Sequence, residues 1–125
     1  MDKPVKIPGP DHPITITPSP SRVVVTVAGK VVANSSHALS LKEASYPAVL
    51  YIPRGDVDMS LLARTDHTSY CPYKGDASYY SITASDGVQT DVVWSYREPY
   101  NAVAEIAGYV AFYTDKVDVV VGAEG

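Results

Sequence analysis

Cysteine is nearly missing from this chain: Cys71 stands alone in 125 residues. That excludes an internal disulfide and any zinc site built from several thiolates, and it makes a reducing, cytoplasmic setting the expectation. Phenylalanine and tryptophan are equally scarce, with one residue each. Positive charge is in short supply: 10 lysines and arginines against 14 acids give a net charge of −4. With no basic stripe, a nucleic-acid partner is not expected. No apolar run reaches the roughly 18 residues that a membrane-spanning helix needs, so no membrane partner is expected either. The opening MDKPVKIPGPDHP has no apolar centre of the signal-peptide kind.

What the chain does have is tyrosine, ten residues of it. Tyrosine packs as an aromatic but keeps a hydroxyl that wants a partner, which suits either amphipathic strands or a half-wet cleft. With 46% apolar and 19% charged residues, the composition is that of a globular domain. The length suits one domain with a core of its own.

Residues 1–20 carry six prolines, Pro4, Pro8, Pro10, Pro13, Pro18 and Pro20, and are expected to form a tail in which only Ile14 to Thr17 lies extended at an edge. Residues 21–125 are expected to form a single β domain. Two β-branched runs, Arg22 to Val27 and Lys30 to Asn34, flank Ala28-Gly29 and predict a hairpin. Ala38 to Leu41 reads as a strand or a turn, and Ala48 to Ile52 as a buried strand stopped by Pro53. Asp58 to Leu62 looks like one helical turn that Asp56 or Asp58 can cap. Thr65 to Gly75 reads as a loop. Strands follow at Ala77 to Thr83 and Val88 to Tyr96, joined by the turn Ser85-Asp86-Gly87. A short helix at Asn101 to Ile106, capped by Asn101, precedes strands at Tyr109 to Tyr113 and Val117 to Val121. The fold expected is all-β and mainly antiparallel, about eight short strands in a compact barrel-like or two-sheet domain with one or two helical turns.

The stretch Thr65 to Tyr80, TDHTSYCPYKGDASYY, concentrates the side chains that could do chemistry. Cys71 is a candidate nucleophile with His67 as its base, because a thiol needs a base or a positive field to become a thiolate. An extended backbone would hold the two about 13 Å apart, so the pair requires a turn. The alternative is that Cys71 packs as a small hydrophobe. Lys74 beside Gly75, together with Arg54, could meet an anion, although the phosphate-loop spacing is absent. Asp56 and Asp58 could share a divalent ion, but helix capping accounts for them better. Trp94 and Tyr96 share a strand face, and with Tyr79 and Tyr113 they would form either an aromatic wall for a flat ligand or core packing.

Several strings together carry a family resemblance. They are Tyr51-Ile52-Pro53 with Asp56-Val57; Thr68 with Cys71-Pro72-Tyr73-Lys74-Gly75, Ala77 and Tyr79; Trp94-Ser95-Tyr96; and Ile106 with Gly108-Tyr109-Val110-Ala111-Phe112-Tyr113. In this order, over about residues 22–122, they resemble the family known as domain of unknown function 427, which also bears a nucleotidyltransferase-like label. The resemblance implies a β-tent fold and marks Arg54, Asp56, Thr68, Cys71, Tyr73, Lys74, Trp94, Tyr96, Tyr109 and Tyr113 as site positions. Tyr80 stands where some relatives have tryptophan. Tent folds also occur in a guanine-nucleotide-exchange zinc protein and in methionine-R-sulfoxide reductases, which carry paired Cys-x-x-Cys ligands. With one cysteine, neither the zinc nor a resolving thiol carries over.

The function expected from the residues is binding of a small anionic or aromatic ligand beside the Cys-Pro-Tyr-Lys-Gly loop, with no metal and no cofactor. The alternatives are a Cys71–His67 enzyme or a nucleotidyltransferase-like activity. Open strand edges also leave self-association as an option.

Overall fold

The structure is a computed structural model and describes residues 4–85 and 87–122. Its first hairpin shows how closely local sequence dictates local structure. Val23, Val25 and Val27 alternate inward along β2 (Val23–Val27), which turns through Ala28 and Gly29 into β3 (Lys30–Ser35). Both turn residues have positive φ, +50° and +78°. That is the geometry whose twist matches two paired strands.

Among the described residues, three antiparallel sheets form. The first orders β1 (Ile14–Pro18), β4 (Leu39–Glu43) and β5 (Val49–Tyr51) as β1-β4-β5. The second sets β10 (Asp118–Val121) beside the β2–β3 hairpin. The third runs in chain order through β6 (Leu62–Cys71), β7 (Gly75–Ala84), β8 (Gly87–Ser95) and β9 (Val110–Phe112). The sheets do not close into a barrel. A backbone bridge between Ile52 and Val110, two hydrogen bonds of 2.8 Å, ties the first sheet to the third.

The third sheet takes part in two cores. Tyr80, Ile82, Val93 and Phe112 belong to the cluster that includes Val23, Val25 and Val32 of the hairpin. Ala77, Tyr79, Tyr96 and Ala111 belong to the other, with Leu41 and Tyr51 of the first sheet and with Val103 and Ile106.

Several expectations change. The segment Thr65 to Gly75 is not a loop: β6 runs to Cys71, and only the turn from Cys71 to Gly75 remains. β6 lies at a sheet edge and most of its side chains are exposed, so it needs no apolar alternation and gives none to read. Within the proline-rich segment, Ile14 to Thr17 does lie extended at a sheet edge as expected: β1 pairs along its length with β4, and Ile14 and Ile16 pack on the second core. Residues Asn101–Ile106 form a kinked 3-10 turn that starts after Tyr100, with no side-chain cap. The 3-10 turn Met59–Leu61 is capped as predicted, by Asp58 accepting from the Ser60 N–H at 3.2 Å. Asp86 of the predicted Ser85-Asp86-Gly87 turn lies outside the described residues. Among those residues, no helix is long and apolar enough to cross a membrane.

β6 and β8 each bulge where they flank the middle of β7. Three residues of β6, Thr65 to His67, stand opposite Tyr79 alone, and three of β8, Thr90 to Val92, stand opposite Ser81 alone. The two bulges are joined by Thr65 Oγ1 donating to Asp91 Oδ1 at 2.6 Å. Asp91 has φ +55°, a conformation that aspartate tolerates better than most residues.

Candidate functional site

The Cys71–Gly75 turn closes through Lys74 N–H donating to Cys71 C=O at 3.1 Å, and Gly75 supplies φ +110°, which side-chain-bearing residues adopt only under strain. This turn aims Lys74 inward rather than at solvent. Its ammonium is paired with Glu43 at the end of β4 and lies 5.9 Å from the centre of the buried Tyr96 ring. Glu43 is also bonded to His12 Nε2 at 2.8 Å. His12 in turn stacks on Tyr73, with ring centres 4.1 Å apart and planes 6° from parallel. Lys6 N–H donates to Pro72 C=O at 2.9 Å. The Cys-Pro-Tyr-Lys-Gly loop is therefore clasped by the N-terminal segment.

The charges here hold one another. Burial pushes the Glu43 carboxyl up, but hydrogen bonds and charge from Lys74 and His12 outweigh it, and the carboxyl lies below its ordinary value. Burial pushes Lys74 down, and its bond to Glu43, with the nearby Cys71 and Glu43 charges, overcomes that and raises it. Burial, then neighbouring Tyr51 and Cys71, raises the Tyr96 hydroxyl far above the phenol range, so it stays neutral.

Cys71 ends β6, half-buried against the second core. His67 sits in the β6 bulge, where its ring meets Tyr79 edge-on at 4.4 Å. Strand geometry between them leaves a separation on the order of 13 Å, and no hydrogen bond joins them among the described residues. Cys71 has Lys74, not His67, as its charged neighbour. Thr68 is exposed and pairs in register with Ser78.

Arg54 and Lys74, expected to act together, belong to different surroundings. Arg54 leaves a 3-10 turn (Arg54–Asp56) and donates to Tyr80 Oη and Ser95 Oγ, both at 3.3 Å. Tyr80 belongs to the first core, whereas Tyr96, beneath Lys74, belongs to the second. Asp56 accepts from Ser35 Oγ at 2.6 Å and Asp58 caps its own turn, so the two carboxylates do not converge. Ser95 Oγ donates to the Tyr109 carbonyl at 2.7 Å, which fixes the half-buried Tyr109 at the start of β9.

An open groove of about 560 Å³ lies where the three sheets meet. Val23, Val25, Ile52 and Phe112 line it deep in the fold, and Tyr46, Thr114 and Asp115 line it at exposed positions. One wall is aromatic: the Trp94 and Tyr113 rings are 4.6 Å apart and tilted by 47°. Trp94 is held from behind by its Nε1–H donating to Tyr51 Oη at 3.3 Å. The Tyr113 hydroxyl is pushed up to about 12, first by burial, then by its bond to Tyr79 and by Asp115 and Asp91. Among the described residues, Asp115 is the one charged residue in the lining. Of the marked positions, the groove takes Trp94 and Tyr113; Tyr96 and the Cys-Pro-Tyr-Lys-Gly residues lie outside it.

Three residues that matter here gave no local signal. His12, Glu43 and Arg64 each find partners 14 or more positions away, His12 and Glu43 in each other and Arg64 in Ser78.

A small antiparallel β domain of three sheets, two cores and one aromatic-walled groove is the class that this geometry defines. The chain belongs to the family described as domain of unknown function (DUF427), whose model matches residues 15–123. The match thus takes in β1 from Thr15 onward, which lies ahead of the stretch over which the sequence motifs run. No curated protein matches the chain.

Proposed function

We propose that this chain is a binding module for a small, flat, largely apolar ligand, held in the groove between the sheets. The observation that carries this is the Trp94–Tyr113 wall beside an aliphatic floor, in a space of about 560 Å³. Small-molecule sites span roughly 300–1,000 Å³ and are lined mainly by apolar and aromatic side chains. Of the two ligand classes that the sequence suggests, the aromatic one suits this groove, because among the described residues no lysine or arginine lines it. Lys74 is taken up by Glu43 of β4, and Pro72 and Tyr73 beside it hold the chain's own N-terminal segment.

Trp94 is the sole tryptophan, so its emission reports on the wall directly. Titration with fused aromatics such as indole, quinoline and naphthol is expected to change Trp94 fluorescence saturably. Tyr113→Ala, at an exposed position, is expected to weaken the effect by about tenfold, near the upper end of what one aromatic contact contributes. If Trp94 emission stays unchanged across the panel while the protein is folded, the groove is not a binding site for this class.

A further inference from the structure

Arg54 and Arg64 approach one patch from two elements, the 3-10 turn after β5 and the edge strand β6. Arg54 donates to Tyr80 Oη and Ser95 Oγ, and Arg64 Nη2 donates to Ser78 Oγ at 3.0 Å. Ser78 and Ser95 are register partners on β7 and β8. Their Cβ atoms therefore lie about 5 Å apart, and the two guanidinium groups end on adjacent hydroxyls. Like charges brought together in this way are ordinarily held by an acid. Yet among the described residues neither arginine has a carboxylate within 4.0 Å. Asp56, the acid in the same turn as Arg54, is bonded to Ser35.

We infer that Arg54 and Arg64 form a binding site for a phosphoryl group, seated over the Ser78–Ser95 hydroxyl pair. Each guanidinium carries more N–H donors than these bonds use, in a planar fork that matches phosphate oxygens. The Ser78 hydroxyl accepts from Arg64, and its own hydrogen has no acceptor among the described residues, so it can donate to a bound oxygen. Ser95 is fully buried and Ser78 nearly so, while Arg64 is exposed and Arg54 half-buried. The floor is therefore fixed and the cationic rim is reachable. The chain as a whole is negative, at −4, so attraction of an anion must come from this pair and not from the general field.

The test follows the arginine side-chain Nε–Hε signals of ¹⁵N-labelled protein by NMR, with inorganic phosphate titrated against sodium chloride at equal ionic strength. Saturable shifts at both Arg54 and Arg64 are expected with phosphate and not with chloride. Arg64→Gln, at an exposed position where the fold is not at risk, is expected to weaken binding by about tenfold or more. Arg54→Lys should also weaken it, because the charge remains but the fork is lost. Tyr113→Ala should leave it unchanged, which separates this site from the groove. Glycerol phosphate and phenyl phosphate identify the source: an ester at least about tenfold tighter than the free ion assigns the phosphoryl group to a larger ligand, and equal affinity assigns the site to free phosphate. Phosphate shifts no larger than those of chloride, or wild-type affinity in Arg64→Gln, would overturn the proposal.

Discussion

Glu43 ties the N-terminal segment, β4 and the Cys71–Gly75 turn together by side-chain charge, since it takes both His12 and Lys74. Its depressed folded-state value means that the stability it contributes is fully present above the unfolded value of 4.5 and is lost as pH falls through the lower folded value. Lys74 is raised, so its share is present below 10.5 and is lost as pH rises through its higher folded value. Glu43→Gln leaves the buried Lys74 ammonium without its carboxylate and is expected to cost about 2–3 kcal/mol at neutral pH. It should also flatten the loss of stability that sets in as pH falls below the unfolded value of 4.5, as urea unfolding at each pH would reveal. Cys71 provides a contrast. With His67 a strand's length away and turned to Tyr79, His67→Ala is expected to leave the rate of Cys71 alkylation by iodoacetamide within about twofold. A larger drop would restore the cysteine–histidine pair as a functional unit.

At the scale of elements, β1 shows how a proline-rich segment can still belong to the fold. Its prolines fall outside the pairing or at its end, and between them Ile14 and Ile16 face the second core while Thr15 and Thr17 face out. Ile16→Ser is therefore expected to lower stability by about 2 kcal/mol, a partly buried side chain's worth of apolar contact. Chemical denaturation would measure this, and an unchanged midpoint would mean that β1 is only loosely attached. The strands most legible in the sequence are those with inward valines, β2 above all, because a half-buried strand writes its period into its residues. β6 has nothing to bury on most of its length and so left no such record. The site followed the same rule. Trp94 could be marked from strand spacing, with Tyr96, and Tyr113 from the expected strand pairing and the family motif, but the Lys74–Glu43 and Arg54–Ser95 contacts join residues 31 and 41 apart, and only the folded chain brings them together.

For the molecule as a whole, the third sheet is the organising layer. The hairpin and β10 belong with one of its cores, and β1, β4 and β5 with the other. Neither core is closed without it. Tyr79 and Tyr80 are consecutive residues on one strand, yet each is a member of a different core. Pulling β7 out of register would turn both side chains away from their clusters together. The two cores should therefore melt as one cooperative unit, giving a single calorimetric transition whose calorimetric and van't Hoff enthalpies agree. Amide protons of β7 should exchange only through global opening, and slower than those at the free edge of β6. A protein of this size then has no partly folded form in which one core survives the loss of the other, and damage to either reaches both.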